Sequence, residues 1–263
     1  MPSTEKINSY ATPALEKGLD IIELLARQPH GLTKSQIARG LSRTVSEVFR
    51  MLLCLEQRGY IAVLDRERYT LTLKLFRLVH EHPPTERMIT EAFSIMQSFA
   101  HDSRQSCHLA VLEDAKVVML AQMNAPTHAG FYVKQGSVVD IMESASGYVV
   151  LAYQTSDERN RVLAEWSRQA GKNPPRELDV HLASIREAGY ERRSSYQVRG
   201  VVNISFPILD TRGVALAALT VPYIRHTSGS LPIDEVTEML RNAAGRLSIA
   251  IGGMGAANAI AAD

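Results

Sequence analysis

Apolar residues in the first eighty positions recur at helical spacing three times and then alternate. Leu15, Leu19, Ile22 and Leu25 fall three or four apart, predicting an amphipathic helix over about 13–27 with Pro13 suited to its first turn. Ile37 and Leu41 predict a second helix that begins near Lys34, because Thr33 and Gln36 have the spacing of a capping box. Gly40 and Ser42 supply turn chemistry after it. From Thr44, the positions Val45, Val48, Met51, Leu52 and Leu55 mark a third helix, ended by Gly59. Residues 60–64 and 69–71 then read as two strands flanking the charged tip Asp65-Arg66-Glu67-Arg68.

Helix, helix–turn–helix and a hairpin with a basic tip together outline a winged helix-turn-helix, which makes double-stranded DNA the first partner to consider. The residues facing away from the apolar stripe of the third helix are the candidate readers. They are Ser46, Glu47, Phe49 and Arg50; with Thr44 and Val45 at the helix start they make 44–50 the segment expected in the major groove, and Arg66 and Arg68 of the wing are placed against the phosphate backbone. Phe49 could equally belong to the core.

The remainder mixes both periodicities. Leu71, Leu75, Leu78 and Val79 predict a linker helix halted by Pro83-Pro84, and 88–100 reads as a long helix. Strands are predicted at 107–112 and 117–123, and further ones at 130–134 and 138–141. Helices follow at 147–154, 157–170 and 175–188, then strands at 190–196, 201–209 and 214–222, then a last helix over 232–251. The small-residue tail at 252–257 reads as frayed. The expected class is α+β: a winged helix-turn-helix over 1–71, a linker helix over 72–85, and an antiparallel sheet with packed helices over 86–263.

Composition changes this picture little. The chain has 263 residues, 45% hydrophobic and 22% charged, which is ordinary for a globular protein. Cys54 and Cys107 form no CxxC pair, no apolar run is long enough for a membrane span, and the first residues lack a secretory signal, so a cytoplasmic location is expected. Charge is uneven. Residues 1–80 carry 12 Lys and Arg against 8 Asp and Glu, and the rest 17 against 20. A positive excess confined to the first part suits phosphate contact.

With these parts in order, the chain resembles the IclR family of bacterial transcriptional regulators from about residue 14 to 251. The stretches that carry the likeness are ALEKGLDIIELLA, GLTKSQIARGL, SEVFRMLLCLEQRGYI, RYTLTLKLF, SASGYVVLAY and RGVVNISFPILDTRGVALAALTVP. The resemblance implies a carboxy-terminal domain of GAF-like or profilin-like fold that binds a small effector, and assembly into homodimers or homotetramers. Where the family shows Ser-Thr-Val-aromatic-Arg, this chain has Ser46-Glu47-Val48-Phe49-Arg50; a carboxylate at Glu47 repels phosphate but can accept from cytosine N4. The resemblance also places an effector beside Ala145 and Ser146 and near Asn203, Thr220 and Pro222, while the acidic residue that the family often carries some ten positions before Asn203 is replaced by Arg193 or Ser194.

The residues themselves favour that location. Ser144 and Ser146 precede Gly147-Tyr148-Val149, so free N–H groups at a helix start would face Val139 and Ile141, and such groups bind carboxylates. A small organic acid is expected, an aromatic one being admissible because Phe131 and Tyr132 lie on a neighbouring predicted strand. Apolar Phe76, Val79, Ile95 and Phe99 are the candidate surfaces for self-association. No catalytic, cofactor or metal site is expected: His80 and His82 abut two prolines without further ligands, and there is no GxSxG, Walker or GxGxxG motif. Two other functions stay open beside an effector-responsive regulator of a metabolic operon. One is an enzyme acting on a small acid with a fused DNA-binding domain. The other is a constitutive DNA-binding protein whose second domain only oligomerises.

Overall fold

The structure, a computed structural model, describes residues 12–65, 67–80, 83–128, 130–226 and 229–254. The chain forms two compact units, Met1–Glu86 and Arg87–Asp263.

In the first unit, α1 (Pro13–Ala26) is followed by β1 (Leu32–Thr33), α2 (Lys34–Gly40), α3 (Val45–Gln57), β2 (Ile61–Leu64), β3 (Arg68–Leu71) and α4 (Lys74–His80). The strands pair in the order β1-β3-β2, all antiparallel. The short β1, which joins the wing to the start of α2, was not legible as a strand. Capping residues set the helices: Thr33 and Gln36 form the expected box, and Thr44 with Glu47 form a second one at the start of α3. Ser42 takes the left-handed conformation after α2 (φ 53°) and Gly59 does so after α3 (φ 73°). Gly40 has another role, since a Cβ there would lie 3.1 Å from the Leu24 side chain. The core joins Ile21, Leu25, Ile37, Val48, Leu52, Leu55, Ile61 and Tyr69. Leu15 and Leu19, expected in it, are 61% and 49% exposed, because α1 turns its Ile21–Leu25 face inward.

Pro83-Pro84 open a helix as well as closing one. α5 (Pro83–Ser103) begins at Pro83, in the first turn where a missing N–H costs nothing, five residues before the expected start.

The second unit is a six-stranded antiparallel sheet, order β6-β5-β4-β9-β8-β7, made of β4 (Cys107–Glu113), β5 (Lys116–Met123), β6 (Val138–Asp140), β7 (Glu191–Ser194), β8 (Val202–Leu209) and β9 (Ala215–Tyr223). One face carries α6 (Ala145–Ala152), α7 (Ser156–Ala170) and α8 (Leu178–Ala188); the other carries α5 and α9 (Ile233–Ala250). Burial on both faces makes β8 and β9 nearly continuous apolar runs. Side-chain alternation sends Cys107 and Leu109 to the α5/α9 face, and His108 and Ala110 to the α6 face.

Three expectations are corrected here. Residues 130–134 form no strand but an irregular segment, with Tyr132 66% exposed. Ile95 and Phe99 are buried against the sheet, so they leave no apolar area for self-association, whereas Phe76 is 60% exposed. Gly252 to Met254 are not frayed: Gly253 donates to the Ser248 carbonyl (2.7 Å), and a Cβ on it would meet the Leu209 carbonyl oxygen at 1.8 Å.

Candidate functional site

The first candidate site is the exposed side of α3. Val48, Leu52 and Leu55 face the core, which turns Ser46, Phe49 and Arg50 to solvent. Phe49 is 46% exposed and lies beneath the Lys34 ammonium, 5.0 Å from the ring centroid, so it is a surface aromatic and not a core one. Val45, 44% exposed, extends this face. These residues line an open groove with Lys17, Lys34 and Met51.

Glu47 is already engaged. Its carboxylate accepts from the Thr44 N–H (3.0 Å) and hydroxyl (2.9 Å) and from the Lys17 ammonium (3.0 Å). The Thr44 backbone bond above all, with Lys17 next, holds its pKa down to about 2. A carboxylate so committed is poorly placed to accept from a base edge, and it neutralises Lys17 instead. Arg43, in the turn before α3, pairs with Asp20 of α1 (3.0 Å) and fixes how α3 lies on α1. In the wing, the Arg68 guanidinium donates to the Gly31 carbonyl (3.2 Å) from within β3; Arg66 lies outside the described residues.

The second site is a cavity of about 50 Å³ between the start of α6 and the sheet. Of the eight residues predicted for it, Phe131, Val139, Ala145, Ser146, Asn203 and Thr220 line it. Ile141 does not. It is fully buried, and its backbone packs against Gly147, where a Cβ would lie 2.1 Å from the Ile141 carbonyl oxygen. Pro222, opposite Asn203 in the sheet register, is not a lining residue either.

The α6 start is built as an open end. Ser144 caps it by accepting from the Gly147 N–H (3.0 Å), and α6 is buried along its whole length. The N–H groups of Ala145 and Ser146 have no intrahelical acceptor. Beside them the Ser146 and Thr220 hydroxyls are 2.9 Å apart, and Thr220 continues to the Ser205 hydroxyl at 2.7 Å.

Sequence reasoning missed several lining residues: His108 and Met119 from the sheet, Val133, the exposed carboxylate Glu143, and Ser195, Tyr196 and Gln197 from the irregular segment after β7. His108 matters most. It stands directly across from Thr220 in the β4–β9 register, is 5% exposed, and has a buried Nδ1 without a hydrogen-bond partner. Burial lowers its pKa to about 4, so the imidazole is neutral at pH 7. The strand was legible; which face of it met a cavity was not. Arg193, opposite Asn203, stacks on the Tyr148 ring (4.5 Å) and lies 4.0 Å from the buried Glu191, outside the cavity lining.

Among the described residues, no group of three His, Cys, Asp or Glu is arranged to hold a metal ion, and no helix is long and apolar enough to cross a membrane. His82 falls outside the described residues.

Residues 85–249 match the family described as bacterial transcriptional regulator IclR C-terminal, and residues 14–65 match the IclR helix-turn-helix domain. The HTH-type transcriptional regulator KdgR of Escherichia coli (strain K12) is 26% identical over 223 residues, covering 83% of this chain and 85% of that protein. The p-hydroxybenzoate hydroxylase transcriptional activator of Acinetobacter baylyi is 24% identical over 249 residues, covering 89% of each. Among solved structures, an IclR homolog from Microbacterium hydrocarbonoxydans complexed with 4-hydroxybenzoate superposes with a TM-score of 0.73 at 22% identity, covering 90% of this chain and 98% of that one. With its helix-turn-helix unit followed by the curled antiparallel domain, the chain belongs to the IclR family of bacterial transcriptional regulators.

Proposed function

We propose that this regulator responds to a small organic acid: α3 and the wing hold an operator, and the acid binds in the cavity at the start of α6. The observation that carries the reading is the juxtaposition of two open backbone N–H groups, Ala145 and Ser146, with the Ser146–Thr220 hydroxyl pair and an apolar wall of Met119, Phe131, Val133 and Val139. That combination suits a carboxylate attached to a short hydrocarbon. A 50 Å³ cavity is several times the roughly 10–15 Å³ that one water needs, which suits a few heavy atoms. An aromatic acid, suggested by the 4-hydroxybenzoate held by the Microbacterium homolog, needs the irregular segments around Phe131 and Tyr196 to yield.

On the DNA side, Ser46, Phe49 and Arg50 enter the major groove and Arg66 and Arg68 flank it. Self-association into a symmetric dimer or tetramer would match an inverted repeat. An acid alters DNA affinity only as far as it binds the two DNA-holding arrangements differently, typically by about 1–3 kcal/mol.

The test is operator affinity measured with and without a panel of small aliphatic and aromatic acids, in the parent chain and in Ser146→Glu. The parent should respond to at least one acid, and Ser146→Glu should not, because its carboxylate occupies the same N–H groups. A variant that stays folded and responds like the parent moves the acid site elsewhere. Arg50→Ala should cost roughly 1–3 kcal/mol and relax sequence preference if it reads a base, and should instead reduce the salt slope by about one if it meets a phosphate.

A further inference from the structure

The sheet face beneath α6 carries a polar row that crosses five strands. Register places Gln122 opposite His108, His108 opposite Thr220, Thr220 opposite Ser205, and Ser205 opposite Glu191. Four of the five are buried, on a face otherwise filled by apolar side chains. The rest of the row is accounted for: Gln122 donates to the Asn124 side chain and accepts from the Val133 N–H, Thr220 bonds Ser205 and Ser146, and Glu191 meets His181 of α8 at 3.2 Å. The Nδ1 of His108 is buried with nothing to bond, at the wall of the cavity. A buried polar atom without a partner costs free energy, so its retention at a cavity wall points to an occupant.

The cavity also lacks a fixed cation. Its lining contains no Lys or Arg; its ionisable members are His108, the exposed Glu143 and the Tyr196 phenol, whose pKa burial raises. Arg193, the basic group opposite Asn203, is turned onto Tyr148 and toward Glu191. The neighbours of His108 on β5, β9 and α6 are the neutral Gln122, Thr220, Ala145 and Ser146. A carboxylate leaving water for this site would meet N–H dipoles and hydroxyls but no full positive charge, and burying a charge without a counter-charge is costly.

Resting on the acid site proposed above, we infer that His108 supplies that counter-charge by taking a proton: the effector's carboxylate binds together with one proton drawn from solvent, and the proton resides on the imidazole. Nothing else changes covalently. The free protein keeps His108 neutral because nothing negative adjoins it and burial penalises its cation. An anion at Ser146 and Thr220, one strand away, reverses that balance. Effector affinity is therefore proton-linked, strengthening about tenfold for each unit of pH lowered between the free-state and bound-state pKa values of His108. A neutral isostere of the same acid has no such dependence.

The probes are acetate and benzoate, with acetamide and benzamide as their neutral counterparts, added to the full chain. Backbone amide signals of Ala145 and Ser146 report occupancy. The imidazole nitrogen signals of His108 report its charge, and calorimetry at pH 7 in two buffers of different ionisation enthalpy counts protons. The expected result is displacement of both amides by the acids, a shift of His108 toward imidazolium, net proton uptake with each acid and none with either amide, and loss of that uptake in His108→Gln. Amides displaced with His108 still neutral, or proton uptake that persists in His108→Gln, overturns this inference and leaves the acid site standing. Acids that displace neither amide remove the site and the inference together. The parent chain alone carries the nitrogen and buffer measurements, so the outcome is decided even if the Gln variant fails to fold.

Discussion

α3 and α6 begin alike and end up doing opposite things. Each is capped by a hydroxyl, Thr44 in one and Ser144 in the other, and each cap accepts from the backbone N–H three residues on. The difference lies in the residue that carries that N–H. In α3 it is Glu47, whose side chain returns to the Thr44 N–H and sets a carboxylate over the helix end, where it repels any other anion from the Val45 and Ser46 N–H groups. In α6 it is Gly147, which has no side chain to return, and the Ala145 and Ser146 N–H groups stay open toward a cavity. An end that carries its own carboxylate offers an anion no site, and what the start of α3 exposes is the side chains of Ser46, Phe49 and Arg50. An open end presents the backbone itself.

The strongest way to break this comparison is to give Gly147 a side chain. A Cβ there would stand 2.1 Å from the Ile141 carbonyl oxygen, a backbone atom that cannot swing aside. Gly147→Ala should destabilise the second unit at or beyond the upper end of the roughly 1–3 kcal/mol of overpacking, lowering its melting temperature by about 6 °C or more. Gly18→Ala is the counterpart in α1. Nothing lies within 4 Å of a Cβ at Gly18, so the same exchange should stabilise the first unit by up to about 1 kcal/mol through helix propensity. Calorimetric scans of both variants check the pair, and equal effects would remove the claim that the α6 start is sterically specified.

A second test uses pH. His108 has a folded pKa of about 4 against an ordinary 6.5, so the unfolded chain takes its proton first as pH falls. Stability is full above pH 6.5 and declines between 6.5 and 4, by about 3 kcal/mol in all at roughly 1.4 kcal/mol per unit. Denaturant titrations across that window should show the decline in the parent and a flatter profile in His108→Gln. The start of α3 has the same sign in a lower window: Glu47 also has a depressed folded pKa, so its contribution is present above its ordinary 4.5 and is lost as pH falls toward 2.

These two regions were also unequally legible in the sequence. The first unit is specified by neighbours: Thr33 with Gln36, Gly59 after a heptad-like stripe, and a charged tip between alternating strands all act within a few residues. Its surprises were local too, such as α1 burying Ile21 in place of Leu15 and Leu19. The cavity is assembled from β4, α6, the segment after β7, β8 and β9, so residues more than a hundred positions apart meet. Ala145, Ser146 and Thr220 could be named because a helix start and a family likeness pointed to them. His108 could not, because its role depends on which strand lies beside β4 and on which face is covered. Ile141 was misassigned for the same reason: its apolar side chain suits a cavity wall, but its backbone packs on Gly147.

Thr220→Val sharpens the comparison at lower energy. Val keeps the volume but removes the hydroxyl that joins Ser146 (2.9 Å) and Ser205 (2.7 Å), leaving both of those buried groups short of a partner. The expected cost is about 1–3 kcal/mol of stability, together with weaker binding of any acid that the parent binds. Calorimetry on the folded variant reads both quantities. Unaltered stability and affinity would mean that the hydroxyl chain is incidental to the open end of α6.

The smallest expected effect is at the start of α3. Thr44→Ala removes the hydroxyl acceptor from the Glu47 N–H and should cost about 1 kcal/mol. Glu47→Gln should cost less, since the amide oxygen can still accept from the Thr44 N–H as Gln36 does from Thr33, and only the Lys17 pairing at the protein surface is lost. Its larger consequence is electrostatic. Removing the carboxylate frees the Lys17 ammonium beside Ser46 and Arg50, so operator binding should tighten and its salt slope steepen by up to about one unit. If Glu47 instead reads a cytosine, Glu47→Gln should weaken binding and change base preference at a single position, with the salt slope unchanged. Titrations of parent and variant at several salt concentrations against operators varied at one position separate the two outcomes. A loss confined to one base pair would show that Glu47 leaves Thr44 and Lys17 to meet a base edge.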